Sequence, residues 1–275
     1  MIRALIFGPI VFVTALFGAV QFQKRLIYNT WGPQPRFIWK SAVEVREVRF
    51  ETSDGEMLCG YWSEGAEDAQ WRLPQKPVVL FCHGNSSTID QWRWVIDRWT
   101  AMIGADVLIF DYRGYGKSTG SPNEDGLYKD ARAAYDWLVL ERKIDPQRIV
   151  IVGQSLGGGV ALQLAGEVDH RMMVLESTFT SMCDVVDDLF LGAPMGRWCE
   201  EKFPNLERIR NYKKPLFMSH GTYDRLIAFR HSELLFEAAA SRKKSIWHCS
   251  GMRHNDNRDP NTYQALIREF MEENW

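Results

Sequence analysis

Hydrophobic and polar positions follow three different patterns along the chain. The first is an uninterrupted apolar run. Residues 4–20, ALIFGPIVFVTALFGAV, are 17 positions without a charge. As a helix they would span about 26 Å, the short end of what a bilayer core needs. One reading is a cleaved signal peptide. The other is a retained single-pass anchor over residues 1–22. The run is longer than a usual signal core and no clear A-x-A site closes it, so the anchor is the expectation; membrane helices tolerate a residue such as Pro9. Lys24, Arg25, Arg36 and Lys40 outweigh Arg3, which leans the following domain towards the cytoplasm. Residues 23–42 read as a linker with aromatic anchors.

The second pattern is strand-like. VEVREVRFET (43–52) alternates apolar and polar residues. Asp54-Gly55 signals a hairpin turn and EMLCGYW (56–62) runs back, so the domain opens with an antiparallel pair. The third pattern is short continuous apolar runs, at 77–84, 105–114, 148–153, 171–177, 214–221 and 244–250. Such runs suit parallel strands buried on both faces. Between them, 88–102, 124–143, 156–167, 229–240 and 261–273 have helical spacing. Trp92, Val95, Ile96 and Trp99 share one helix face, as do Ala131, Ala134, Trp137, Leu138 and Arg142. The alternation predicts an α/β domain over 43–275: a mostly parallel sheet covered by helices on both faces. Residues 178–213 break the alternation and read as a short cap over a pocket.

Bulk numbers narrow the function classes. With 275 residues, 45% hydrophobic and 25% charged, one large core is expected. A net charge of −2 supplies no basic field, so nucleic acid is not an expected partner. The 11 Trp suit core packing first and a lipid-facing surface second. The five cysteines form no CxxC pair, which speaks against a zinc or redox motif, although Cys183 and Cys199 could pair.

Chemistry enters at GQSLGGG (153–159). A buried strand leads in and a helix leads out, with Gly153 and Gly157 flanking Ser155 at the turn. That is the nucleophile elbow, which holds a serine hydroxyl above the sheet edge. A serine hydroxyl needs a base. The chain order Ser, acid, His is met by Asp224, just past the run at 214–221, and His254, just past the run at 244–250. His254 would take the Ser155 proton and Asp224 would hold its tautomer. His248 reads as a packed core residue, and His83 and His220 as loop braces. Asp256 is too near His254 in sequence to face its ring. The backbone N–H groups of Leu156 and Asn85 would form the oxyanion hole, with Gly84 allowing close approach of the backbone. DYRGYGKSTG (111–120) lacks the GxxxxGK[ST] spacing of a phosphate loop. It reads as a wall of the site, so that His83, Gly84, Tyr112 and Tyr115 line the mouth; Asp111 and Arg113 are structural partners. No metal or organic cofactor is required.

These segments, with FQKRLIY, FCHGN, LESTFTS, FPNLERI, HGTYDRLI and RHND, resemble the α/β-hydrolase superfamily and, within it, the membrane-anchored Bem46-type branch related to the eukaryotic ABHD hydrolases. The resemblance spans about residues 21–273. It implies an α/β-hydrolase fold and a serine hydrolase acting on small-molecule or lipid esters or on thioesters. Relatives include serine peptidases of the prolyl-oligopeptidase kind, but 178–213 is short for their specificity domain. A non-catalytic membrane scaffold on the same fold is the other alternative, and the presence of serine, acid and histidine together argues against it.

Overall fold

A computed structural model describes residues 23–28, 40–65, 73–85, 87–190, 192, 194–256 and 260–275. The apolar run at 4–20 and most of the 23–42 stretch lie outside the described residues. Among the described residues no helix is long and apolar enough to cross a membrane.

One eight-stranded sheet organises the domain. Its strands are β1 (Arg46–Glu51), β2 (Met57–Ser63), β3 (Val78–Cys82), β4 (Asp106–Phe110), β5 (Ile149–Gln154), β6 (Met172–Glu176), β7 (Leu216–Gly221) and β8 (Lys244–Cys249). They lie in the order β1-β2-β4-β3-β5-β6-β7-β8. β1 and β2 pair antiparallel around the Asp54-Gly55 turn, and β2 is antiparallel to β4. The remaining pairings are parallel. Five of the six continuous apolar runs thus become strands buried throughout, β3, β4, β5, β6 and β7, while β8 is only partly buried.

The helices are α1 (Trp94–Ile103), α2 (Glu124–Asp136), α3 (Leu156–Glu167), α4 (Met182–Leu189), α5 (Asn205–Ile209), α6 (Arg230–Ala238) and α7 (Pro260–Asn274), with short helical turns at residues 23–28 and at Ile89–Trp92 before α1. Alternate strand residues feed two cores. Leu80, Ile151, Leu175 and Met218 face Leu127 and Ala131 of α2, Val160 of α3 and Leu235 of α6. Val79, Phe81, Val152 and Phe217 face Trp99 of α1 and Ile267 and Phe270 of α7. The period of 2 in the strands is what splits one sheet between two helical layers.

Several details depart from the sequence expectation. The helical spacing over 124–143 becomes α2 followed by a wider turn at Trp137–Glu141, where Arg142 N–H donates to Trp137 O, five residues back. Trp137 is held there against Phe50 and Trp62, at 6.2 and 5.7 Å between ring centroids. Residues 178–213 are not irregular throughout: they hold α4, a single turn at Gly196–Trp198, and α5. The Ser181 side chain caps α4 by accepting from Asp184 N–H. All five cysteines are free thiols, so Cys183 and Cys199 do not pair. His248 is not a core residue. It sits on β8, an edge strand of the sheet, where its exposed ring lies against Phe229, 4.8 Å away.

Candidate active site

β5 lies in the middle of the sheet, and its carboxyl end runs directly into α3 at Ser155. Ser155 has φ 54° and ψ −120°, a left-handed conformation that an L residue adopts only under strain. The glycines around it make the turn sterically possible. A Cβ on Gly153 would lie 2.5 Å from Gly157 O, and one on Gly157 would overlap the Cys82 carbonyl. The strain is sustained from outside: Ser155 N–H donates to Glu176 O at 2.9 Å, and Thr178 Oγ1 donates to Ser155 O at 2.9 Å.

Ser155, His254 and Asp224 come together from three strand ends. His254 Nε2 lies 3.0 Å from Ser155 Oγ, and His254 Nδ1 lies 2.6 Å from Asp224 Oδ2. Facing a carboxylate, Nδ1 carries the hydrogen, which leaves the Nε2 lone pair for the serine hydroxyl. Asp224 is itself fixed. Its Oδ1 accepts from Leu226 N–H and Ile227 N–H, both at 2.9 Å. Its Oδ2 also accepts from His220 Nε2 at 3.0 Å. Burial alone pushes this carboxyl upward, but hydrogen bonds from His220 and His254, with the charge His254 can carry, outweigh it and hold Asp224 well below the usual carboxylate range. The group stays ionised beside its histidine. Asp256 instead accepts from Arg253 N–H at 2.8 Å.

The loop after β3 abuts the serine: a Cβ on Gly84 would stand 3.4 Å from Ser155 Cβ. Leu156 opens α3, so its N–H has no acceptor within the helix. The Asn85 side chain donates to Ile27 O at 2.9 Å, which ties this loop to the 23–28 turn. His83, Tyr112 and Tyr115 do not line the mouth as expected. All three are fully buried and pack together beneath the loop, tilted or edge to face, with the His83 and Tyr112 ring centroids 4.4 Å apart. Tyr112 OH donates to His83 O at 3.0 Å and Tyr115 OH to Tyr28 O at 2.5 Å. Each hydroxyl meets a backbone carbonyl, so these residues brace the loop from below. Among the described residues no group of three His, Cys, Asp or Glu could hold a metal ion.

A family model for the α/β-hydrolase fold matches residues 77–198. An uncharacterized protein of Mycobacterium tuberculosis is 35% identical, covering 96% of this chain and 95% of that one. Protein bem46 of Schizosaccharomyces pombe is 30% identical, with 92% and 87% covered. Human alpha/beta hydrolase domain-containing protein 17B is 30% identical, with 84% and 76% covered. This chain belongs to the α/β-hydrolase family, in its Bem46-like branch. Among solved structures, an esterase of Pyrococcus furiosus superposes with a TM-score of 0.71 at 22% identity, covering 88% of this chain and 96% of the esterase, which is a likeness of fold.

Around the site of this α/β-hydrolase stand residues whose partners the sequence patterns did not give. His220 clamps the acid loop: besides Asp224, its Nε2 meets Ile227 O at 2.9 Å and its Nδ1 meets Ser232 Oγ at 2.5 Å. Reading it as a loop brace named the role without the partner. Glu176, fully buried at the end of β6, takes Arg98 Nη2 at 3.1 and 3.2 Å and the Tyr263 hydroxyl. A carboxylate ending an apolar run, LESTFTS, was the available signal. Asp111 accepts Ile89 N–H at 2.9 Å, and Arg113 bridges Asp130 and Asp54.

Proposed function

We propose that this α/β-hydrolase cleaves carboxylic ester or thioester bonds through an acyl-enzyme on Ser155. The observation that carries the reading is the unbroken series from Ser155 Oγ to His254 at 3.0 Å and on to Asp224 at 2.6 Å, on a serine held at positive φ. Ser155 Oγ attacks the acyl carbonyl as its proton passes to His254 Nε2. Asp224 stabilises the imidazolium through Nδ1–H. The N–H groups of Leu156 and Asn85 receive the negative charge that forms on the carbonyl oxygen. His254 then protonates the departing alcohol or thiol. Water, deprotonated by the same Nε2, attacks the acyl-serine and releases the acid.

Residues 43–275 form the catalytic domain in this proposal, and 178–213 its cap. Residues 1–22 are a single-pass anchor that holds the site near lipid, with the domain on the cytoplasmic side, so lipid or acylated esters are the favoured substrates. The peptidase reading has less support. An acylaminoacyl peptidase of Pyrococcus horikoshii shares the fold with a TM-score of 0.65, but the match covers only 42% of that chain.

The test is labelling of the full chain with a fluorophosphonate probe beside Ser155→Ala. Labelling of the native chain that vanishes in Ser155→Ala is expected. A folded native chain that takes no probe overturns the acyl-enzyme reading and favours a scaffold. Panels of p-nitrophenyl esters, thioesters and peptide anilides then separate the leaving-group classes.

A further inference from the structure

Large apolar side chains are exposed on two pieces of chain that are distant in sequence and bonded in space. Leu26, on the 23–28 turn, is 62% exposed. Leu189 and Phe190, at the end of α4, are 58% and 56% exposed, and Trp198, just beyond, is 56% exposed. Gln23 Nε2 donates to Trp198 O at 3.2 Å. Lys24 Nζ lies 3.3 Å from Glu201 Oε1, and Tyr28 OH donates to Glu201 Oε2 at 2.5 Å. Glu201 is itself buried and also takes Glu124 N–H at 2.5 Å. Ile27 and Tyr28 enter the core. The turn is therefore docked onto the cap segment.

The three carboxylates of α4 are engaged by neighbouring groups of the protein. Asp184 accepts from Thr180 Oγ1, Asp187 from Gly196 N–H at 2.6 Å, and Asp188 meets His231 at 3.0 Å and also Arg230. The outer side carries Leu26, Leu189, Phe190 and Trp198 beside the exposed charges of Arg25, Glu200, Lys202 and Arg197, the last with its guanidinium 4.1 Å from the Trp198 ring centre. A tryptophan under an arginine suits the boundary between headgroups and acyl chains, where an apolar ring meets a charged tip. Exposed apolar patches rimmed by polar groups mark interaction surfaces.

Chain length selects the occupant. Residue 20, the end of the uncharged run, is three residues from Gln23. Three residues span at most about 11 Å in any conformation. If the run enters a bilayer, the membrane interface must come to within that distance of Gln23, and Gln23 is bonded to Trp198.

We infer that the face carrying Leu26, Leu189, Phe190 and Trp198 rests in the interface of a lipid bilayer, so that the cap lies against the membrane. This inference rests on the anchor in the proposed function. It makes the 23–28 turn a rigid bracket rather than a loose tether. The same six residues that set the membrane face also hold Asn85, through Ile27 O.

The experiment uses the full chain bound to vesicles of mixed zwitterionic and anionic phospholipid. An environment-sensitive fluorophore is attached at Phe190→Cys, at Leu189→Cys as a second site, and at Glu141→Cys, an exposed position near the opposite end of the sheet. The native chain serves as the background for Cys183. Blue-shifted emission at 189 and 190, quenched several-fold more than at 141 by lipids carrying quenchers in their acyl chains, is the expected result. Equal quenching at all three sites in a chain that floats with vesicles overturns the inference and leaves the anchor intact. A chain that does not float removes the anchor and the inference together, while fluorophosphonate labelling reports separately on Ser155. Shielding at 190 that forms without lipid and grows with protein concentration assigns the face to a second copy and also overturns it.

Discussion

Replacing Asp224 by Asn tests the site most sharply, because one atom changes and the shape stays. Oδ1 can keep its two bonds to Leu226 N–H and Ile227 N–H. The amide nitrogen then stands where Oδ2 was and faces His254 Nδ1, 2.6 Å away in the native protein. A donor there forces Nδ1 to become the acceptor, so Nε2 carries the hydrogen and turns it towards Ser155 Oγ. A protonated Nε2 cannot accept the serine proton. In the Ser-His-Asp template this exchange lowers kcat about 10⁴-fold, equivalent to about 5.4 kcal/mol at 1.36 kcal/mol per decade. A second conflict falls on stability. His220 Nε2 is surrounded by Ile227 O and Asp224 Oδ2, so it carries a hydrogen that would meet the new N–H. A buried donor left without an acceptor costs about 1–3 kcal/mol. Steady-state hydrolysis of a short p-nitrophenyl ester measures the first effect, and urea unfolding measures the second. A folded Asp224→Asn protein with kcat within tenfold of native would refute the assignment of Asp224 as the group that sets the His254 tautomer.

Three further outcomes follow from the same geometry. Because Ser155 sits at φ 54°, Ser155→Gly should be more stable than Ser155→Ala by about 1 kcal/mol, the scale of one strained residue; equal thermal midpoints would mean that the elbow stores no strain. Arg113→Ala leaves fully buried Asp130 without the guanidinium that bonds it at 2.8 Å and leaves Asp54 of the hairpin turn with only Lys129 and Thr52, so urea unfolding should show a loss of about 3–5 kcal/mol; a loss below about 1 kcal/mol would mean that the network does little for stability. Burial pushes the Asp111 carboxyl up to about 8, against a bond from Ile89 N–H that lowers it. Folding therefore takes up a proton between the unfolded value of 3.8 and about 8, and native stability falls as pH rises through that window. Asp111→Asn removes this dependence, so its advantage over the native chain should grow from pH 5 to pH 8, by at most about 1.4 kcal/mol per pH unit, and level off above. A pH-independent difference in urea midpoints would exclude a buried neutral carboxyl.

The sequence by itself determined the elements whose cause is local. Alternation over 43–52 and the Asp54-Gly55 turn specify a hairpin because side-chain period and turn chemistry are properties of neighbours. Continuous apolar runs specify strands covered on both sides, since a one-faced strand would alternate. Gly153 and Gly157 mark the elbow because a Cβ at either would strike backbone a few residues away or on the adjacent strand. The order Ser155, Asp224, His254 was legible for the same reason: each residue lies within a few positions of the end of an apolar run, and strand ends are where parallel sheets present functional groups.

What only the tertiary structure decided depends on groups far apart in the chain. The strand order brings His254 to Ser155 across 99 residues, and no local pattern carries that distance. Tyr112 and Tyr115 looked like pocket walls because they follow a strand end, yet their hydroxyls find carbonyls under the loop and bury the rings. His248 looked internal because its run is apolar, but β8 has a neighbour on one side only. The wide turn at Trp137–Glu141 is invisible to a 3.6-residue period, since packing of Trp137 on Phe50 and Trp62 sets it. Residues 23–28 read as a linker because nothing nearby in sequence engages them; their partner is Glu201, 173 residues from Tyr28, and a buried carboxylate waiting for a hydroxyl and an amide is visible only once the chain has folded around it.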